Sequence, residues 1–159
     1  MPLLSRIRRS PRPNRVLVLG LDCASPDIIF GPFQSQLPNL SALIRTGTWG
    51  ILESSTPCIT VPAWSSMLSS RDPGVLGVYG FRNREAYDYS AFGIADSHAI
   101  QEPRVWDIVG GAGQQSLVLS VPQTYPARPV NGHLVSGFLA SGPRSAFAYP
   151  AIFKAEVLK

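Results

Sequence analysis

The sequence VLVLGL, residues 16–21, is an unbroken run of apolar residues that ends at Asp22. It contains no polar alternation, so a strand built from it would need cover on both faces. Such a run is typical of a central strand in a parallel sheet, and functional residues gather at the carboxyl ends of such strands. The sequence therefore predicts a buried parallel strand with Asp22 at its functional end.

Apolar runs and segments of helical spacing alternate along the rest of the chain. Leu40, Leu43 and Ile44 predict a helix, because they have helical spacing and lie between Pro38 and Gly47. The other predicted elements are a short strand in WGILESS (residues 49–55), a helix in VPAWSSMLSS that opens at Pro62, a long irregular loop from Val75 to Ala99, a helix from about Pro103 to Val109, a strand from Ser116 to Val121, a short strand within residues 129–139, and a helix beginning in AIFKAEVLK. This alternation favours an α/β fold with a sheet covered on both sides.

The basic charge is concentrated at the N-terminus. Five of the 14 basic residues lie in residues 1–15, which leaves 9 basic against 10 acidic residues in the rest of the chain. A proline-broken basic arm over residues 1–15 predicts disorder, with the folded portion in residues 16–159. No specific nucleic-acid binding is expected from such an arm, and a weak contact with lipid or nucleic acid is the alternative.

No segment approaches the ~18 consecutive apolar residues of a membrane helix, and the leader lacks the apolar core of a secretory signal. We therefore expect a cytoplasmic protein without a membrane partner. Cys23 and Cys58 lack C-x-x-C spacing, so they are expected to be reduced, buried packing residues. The three tryptophans, Trp49, Trp64 and Trp106, are expected to pack against the sheet. The sequence predicts no oligomeric state.

Thr60 lies at or just before the start of the second predicted helix. Backbone N–H groups at a helix N-terminus favour an anion such as phosphate, and an activated hydroxyl there could attack phosphorus. The simpler alternative is that Thr60 only caps the helix. Asp22 likewise has three interpretations: a metal ligand, an N-cap or a general base.

Several segments, taken in order, make the chain similar to a known family. VLVLGLD, LPNLSALIRTGTWGILESSTPCITVPAWSSMLS and DPGVLGVYGF resemble the N-terminal part of the type I phosphodiesterase and nucleotide pyrophosphatase family, within the alkaline phosphatase superfamily. The similarity continues through VWDIVGGAG, LVLSVPQTYPARPVNG and LVSGFL to AYPAIFKAEV. It implies an alkaline phosphatase-like three-layer α/β/α sandwich. It also implies a metal-dependent phosphoric ester hydrolase with two divalent metal ions, zinc or alternatively manganese or magnesium.

The resemblance also implies roles for individual residues. Thr60, in the P-x-x-T-x-P pattern between Pro57 and Pro62, would be the nucleophile that becomes phosphorylated and would also contact a metal. Asp22 would be a ligand of that metal. Asn83 would bind an oxygen of the small-molecule phosphoester substrate, although its register differs by about two residues and a turn residue is the alternative.

The chain departs from the family pattern in its metal ligands. A two-metal site needs about six Asp and His ligands, whereas this chain has only His98 and His133, both expected at the surface, and has Leu76 in place of a family histidine. We therefore expect residues 16–159 to be the N-terminal portion of a catalytic domain whose C-terminal half supplies the other ligands, and this fragment to be inactive alone. The alternatives are a phosphomonoesterase, phosphonate hydrolase or phosphomutase of the same superfamily, or a non-catalytic α/β binding domain.

Overall fold

The computed structural model describes residues 15–86 and 88–159, so the predicted arm lies outside the described residues except for Arg15. In chain order the elements are α1 (Pro26–Ile29), α2 (Pro38–Thr46), α3 (Thr60–Ser69), α4 (Pro73–Leu76), β1 (Arg82–Arg84), β2 (Phe92–Ile94), α5 (Val105–Gly111), β3 (Ser116–Val121), β4 (Gly132–Ser136), β5 (Ala148–Tyr149) and α6 (Lys154–Val157). Short 3₁₀ helices lie at Gln34–Gln36, Ser97–Ala99 and Ala151–Phe153. This mixture of helices and sheets confirms the α/β class. No helix within the described ranges has the length and apolar character needed to cross a membrane.

The described strands form two small sheets. β1 and β2 make an antiparallel pair, and β3, β4 and β5 lie side by side in that order, with β3 parallel to β4 and β4 antiparallel to β5. The β3–β4 pairing begins with Ser116 opposite Gly132. A Cβ at Gly132, whose φ is 135°, would lie 2.0 Å from the carbonyl oxygen of Ser116, so glycine is required there. Both predicted strands of this region are confirmed.

Two apolar clusters hold these elements together. The first joins the start of α3 to the segment that follows α4, and its members are Val61, Leu76, Val78, Ala95 and Ile100. The second packs α5 against the β3–β4 pair through Trp106, Val118 and Leu134, so the expected packing of Trp106 is confirmed. Val61 is completely buried, which fixes the first turn of α3 beside Thr60.

The predicted helices at α2, α3, α5 and α6 are confirmed, with small differences at their ends. The predicted irregular loop from Val75 to Ala99 is wrong. It contains the end of α4, the β1–β2 hairpin and a 3₁₀ helix, because Arg82 to Arg84 pair with Phe92 to Ile94 across a short connection. Short sequence separation makes this pairing possible without a strong apolar pattern.

The two predicted strands at residues 16–21 and 49–55 are wrong for the described structure. Both segments are extended chain with exposed side chains: Leu17 is 88% exposed and Leu52 is 80% exposed. No backbone hydrogen bond joins either segment to another described one. A strand requires a neighbouring strand for its hydrogen bonds, and the described residues provide none here. Trp49, also exposed, stacks on Phe30 at 4.6 Å rather than on a sheet, which corrects its expected packing.

Candidate active site

The extended segment of residues 16–21 ends in a turn at Asp22, whose carboxylate is exposed and contacts α3. Asp22 Oδ1 accepts a hydrogen bond of 2.9 Å from the indole Nε1 of Trp64. Asp22 Oδ2 lies 3.4 Å from the hydroxyl Oγ1 of Thr60, which is the donor. The structure thus brings together two of the predicted site residues, Asp22 and Thr60, which are 38 positions apart in the chain.

Both contacts come from one face of α3. Thr60 is the first residue of this helix and Trp64 follows four positions later, so their side chains project from the same side. The residue before the helix is Ile59, which has extended dihedrals and no side chain that can cap. The capping role considered for Thr60 is therefore not observed, because its hydroxyl points to Asp22.

The N-terminus of α3 remains open for an anion. No side chain caps it, and the first N–H groups of a helix have no partner within the helix. Pro62 has no N–H, which leaves the amides of Thr60 and Val61 as the free donors of the first turn. These amides and the positive end of the helix dipole lie beside the Thr60 hydroxyl, so a bound anion would lie next to it.

Gly20 allows the indole of Trp64 to reach Asp22. A Cβ on Gly20 would lie 2.2 Å from Cη2 of Trp64 and 2.7 Å from Cζ3, far inside van der Waals contact. The ring therefore lies directly against the backbone of the segment that precedes Asp22. The role of Trp64 at the site was missed in the sequence, where it was expected to pack against the sheet. Its spacing of four residues from Thr60 was the available signal.

The expectation of buried cysteines is wrong, because Cys23 and Cys58 are both exposed free thiols. Cys23 lies in the turn with a φ of 58°, and its Sγ is 3.7 Å from Asp22 Oδ2. Cys58 lies in the irregular segment that leads into α3. Neither segment lies under a sheet or helix, and this is the physical reason for the exposure.

The third predicted site residue, Asn83, lies in β1 and makes a local contact. Its Oδ1 accepts a hydrogen bond of 2.9 Å from the backbone N–H of Tyr79, as a turn-stabilising residue does. Within the described ranges its amide has no hydrogen bond to Asp22 or Thr60. The predicted contact of Asn83 with a phosphate oxygen remains a prediction.

A groove of about 960 Å³ begins beside the Asp22–Thr60 pair. Leu21 and Trp64, the neighbours of this pair, line one end of it, and it continues along α3 to Asp72. Glu53 also lines the groove, so its charged side chains are acidic. An anionic phosphate group would be repelled there, and the uncapped N-terminus of α3 is the more favourable position for it.

The donor atoms at the site fit part of the shell of one divalent metal ion. The carboxylate of Asp22, the hydroxyl of Thr60 and the thiol of Cys23 surround one oxygen, Asp22 Oδ2. Across residues 15–86 and 88–159, no three His, Cys, Asp or Glu side chains group as a metal site would require. His98 and His133 are exposed, as expected, and contact Asp96 and Phe153. The described residues therefore do not assemble a two-metal centre of about six ligands.

Comparison with known proteins identifies a family match. The family model described as type I phosphodiesterase / nucleotide pyrophosphatase matches residues 16–154. This match is consistent with an alkaline phosphatase-like α/β fold. Comparisons with curated proteins and with solved structures gave no match.

Proposed function

The chain belongs to the type I phosphodiesterase and nucleotide pyrophosphatase family, which supports phosphoric ester hydrolysis as its activity, and on this premise we propose Thr60 as the nucleophile. The observation that carries this proposal is the 3.4 Å contact between Thr60 Oγ1 and Asp22 Oδ2 at the uncapped start of α3. The proposed substrate is a small-molecule phosphodiester or nucleotide pyrophosphate. Residues 16–159 are, in this proposal, the N-terminal portion of the catalytic domain.

Substrate binding begins at the start of α3. The free amides of Thr60 and Val61 and the helix dipole attract a phosphate group, which places phosphorus next to the Thr60 hydroxyl. The acidic groove beyond Trp64 would receive a neutral or cationic part of the ester. This arrangement holds the hydroxyl and phosphorus together, which lowers the entropic part of the barrier.

The reaction then follows from the position of two side chains. Thr60 Oγ1 attacks phosphorus while its proton passes to Asp22 Oδ2, and the bond from phosphorus to the leaving oxygen breaks. The helix amides stabilise the negative charge on the phosphoryl oxygens as it shifts. A water molecule then attacks the phosphothreonine, which releases the phosphate product and restores the hydroxyl.

The family is generally metal-dependent, and we propose that Asp22 and Thr60 hold one of two divalent cations. When bound, the cations supply positive charge for the phosphate oxygens and acidify the hydroxyl groups of the reaction. Zinc is the proposed metal, with manganese and magnesium as alternatives. The remaining ligands lie outside the described residues in this proposal.

The test is a comparison of Thr60→Ala with Thr46→Ala in the complete catalytic domain, assayed with bis-nitrophenyl phosphate and with nitrophenyl phosphate. Thr46 is a matched control, because it is a helical threonine whose hydroxyl bonds only its own helix, at Ala42 O. We expect Thr60→Ala to lower kcat by about 10³-fold or more and Thr46→Ala to leave it unchanged. Mass spectrometry of quenched wild-type enzyme should detect phosphothreonine at position 60.

Unchanged hydrolysis by Thr60→Ala with zinc or manganese added would show that the nucleophile assignment is wrong. The same assays separate the diesterase from its nearest alternative, a phosphomonoesterase of the same superfamily. A preference for the monoester of about a hundredfold or more, which corresponds to nearly 3 kcal/mol, would contradict the phosphodiesterase proposal.

A further inference from the structure

We propose that Cys23 is a third ligand of the metal held by Asp22 and Thr60, which makes this a site for a thiophilic divalent cation such as zinc. The inference rests on the proposed function, because it concerns the same site. It adds a residue with a sulfur donor to a site otherwise composed of oxygen donors. Three observations support it: the distances around Asp22 Oδ2, the exposure of the thiol and the charge of the three donors.

The distances match the edges of a tetrahedral zinc shell better than they match hydrogen bonds. Thr60 Oγ1 and Asp22 Oδ2 are 3.4 Å apart, beyond the ordinary range for a hydroxyl–carboxylate hydrogen bond. Two oxygen ligands of tetrahedral zinc are about 3.3–3.4 Å apart, and a sulfur and an oxygen ligand about 3.6 Å, given the usual zinc–ligand bond lengths. Cys23 Sγ and Asp22 Oδ2 are separated by 3.7 Å. A cation could thus contact all three side chains after small shifts.

The turn brings two consecutive side chains to the same side. In an extended chain the side chains of neighbouring residues point to opposite faces, which would separate Cys23 from Asp22. The φ of 58° at Cys23 interrupts the extended segment and allows its thiol to lie beside the carboxylate. The thiol is also exposed, so a metal ion from solvent reaches it without unfolding of the chain.

The charges of the donors suit a divalent cation. A carboxylate and a thiolate together carry two negative charges, and the threonine hydroxyl contributes a neutral oxygen. The thiol transfers its proton to solvent when the metal binds. Thiolate sulfur selects zinc, cadmium or cobalt over magnesium, which prefers oxygen ligands. The second cysteine near the site, Cys58, has no hydrogen bond to Asp22 and therefore serves as a control.

The first experiment titrates Co²⁺ alone into the full chain and records its absorption spectrum. Wild type and Cys58→Ser should develop a near-ultraviolet thiolate-to-cobalt charge-transfer band, and Cys23→Ser should lose it. Far-UV circular dichroism shows whether each variant is folded. Loss of the band in Cys58→Ser but not in Cys23→Ser would overturn the proposal.

The second experiment needs no variant, because it compares the alkylation rates of the two thiols in the wild-type chain. With free Zn²⁺ at about ten times its Kd, the unliganded site falls about elevenfold, so labelling of Cys23 by iodoacetamide should slow about as much. Peptide mass spectrometry should show an unchanged rate at Cys58. Equal rates at Cys23 with and without zinc would refute its ligation.

The results distinguish this inference from the proposed function. Calorimetric binding of Co²⁺ without a charge-transfer band would refute Cys23 as a ligand and leave Asp22 and Thr60 as metal-binding residues. No binding of Co²⁺ or Zn²⁺ would refute the inference. Thr60→Ala in the complete domain independently decides whether the hydrolase proposal fails.

Discussion

At the level of single residues, the site depends on how the carboxylate of Asp22 is oriented. One oxygen accepts a hydrogen bond from Trp64 and the other faces Thr60, so the indole turns the carboxylate toward the hydroxyl. Hydrogen bonds to charged groups contribute about 1.5–3 kcal/mol, less where solvent competes for the donor. Trp64 is therefore a positioning residue that acts through Asp22.

Trp64→Phe removes the indole N–H and keeps most of the ring. We expect kcat to fall with little change in KM, because the carboxylate loses its orientation while the helix amides still bind phosphate. The Zn²⁺ affinity should also weaken, as calorimetry can measure. Trp49→Phe is the matched control, since Trp49 is exposed and stacks on Phe30 away from Asp22. Equal effects of the two variants would contradict the positioning role.

Gly20→Ala tests the close approach of Trp64 to the backbone. A methyl group at this position would overlap the indole, which must move and break its hydrogen bond to Asp22. We expect weaker zinc binding and a shift in tryptophan fluorescence. Gly50→Ala is the control, because a Cβ there meets no atom within 4 Å. An unchanged emission spectrum in Gly20→Ala would show that the ring does not depend on this glycine.

Sequence reasoning predicted Asp22 and Thr60 because each stands where an apolar run ends or a helix begins, and such positions have few common roles. It did not predict Trp64 or Cys23 at the site. An aromatic residue in an apolar helix is usually a packing residue, so its hydrogen bond depends on where a distant segment passes. The exposure of Cys23 depends equally on which segments cover the turn.

At the level of elements, Arg104 joins α5 to the turn after β3. It is only 4% exposed, its Nη1 donates to the carbonyl oxygen of Gln123 at 3.0 Å, and its guanidinium lies 4.8 Å above the ring of Trp106. Desolvation is the main cause that lowers the pKa of Arg104, and the nearby charge of Asp107 opposes this effect. The guanidinium thus links the helix N-terminus to the sheet.

Arg104→Met should lower the free energy of unfolding by about 1–3 kcal/mol, because the buried carbonyl of Gln123 loses its partner. Arg84→Met is a matched control, since the Arg84 guanidinium also lies 4.8 Å from an aromatic ring, that of Tyr89, but in an exposed hairpin. The control should change stability by less than about 0.5 kcal/mol. Urea unfolding measures both, and equal losses would contradict the structural role of Arg104.

The elements that form local contacts were the ones that sequence reasoning predicted correctly. β3 and β4 are separated by a short connection, and α2, α5 and α6 have clear start or stop residues. The segments at 16–21 and 49–55 have an equally strong apolar pattern but no neighbouring strand within the described residues. A continuous apolar run indicates that a segment needs cover on both faces, and it does not identify what provides the cover.

At the scale of the whole molecule, apolar surface is distributed unevenly. Two small clusters form the described core, while Val16, Leu17, Val18 and Leu19 are each more than three-quarters exposed. Single exposed apolar residues are normal in proteins, but consecutive ones form a patch. The described molecule therefore presents an uncovered apolar surface along the segment that leads to Asp22.

This surface predicts binding of the dye anilinonaphthalene sulfonate and self-association that rises with concentration. The double variant Leu17→Lys and Leu52→Lys should reduce both, because it places charges on the two extended apolar segments, where the leucines are 88% and 80% exposed. The control is Ile152→Lys with Val75→Lys, which adds the same charges at exposed positions in separate elements. Dye fluorescence and sedimentation velocity measure the two effects. Equal behaviour of the two double variants would show that net charge, rather than this apolar surface, controls association.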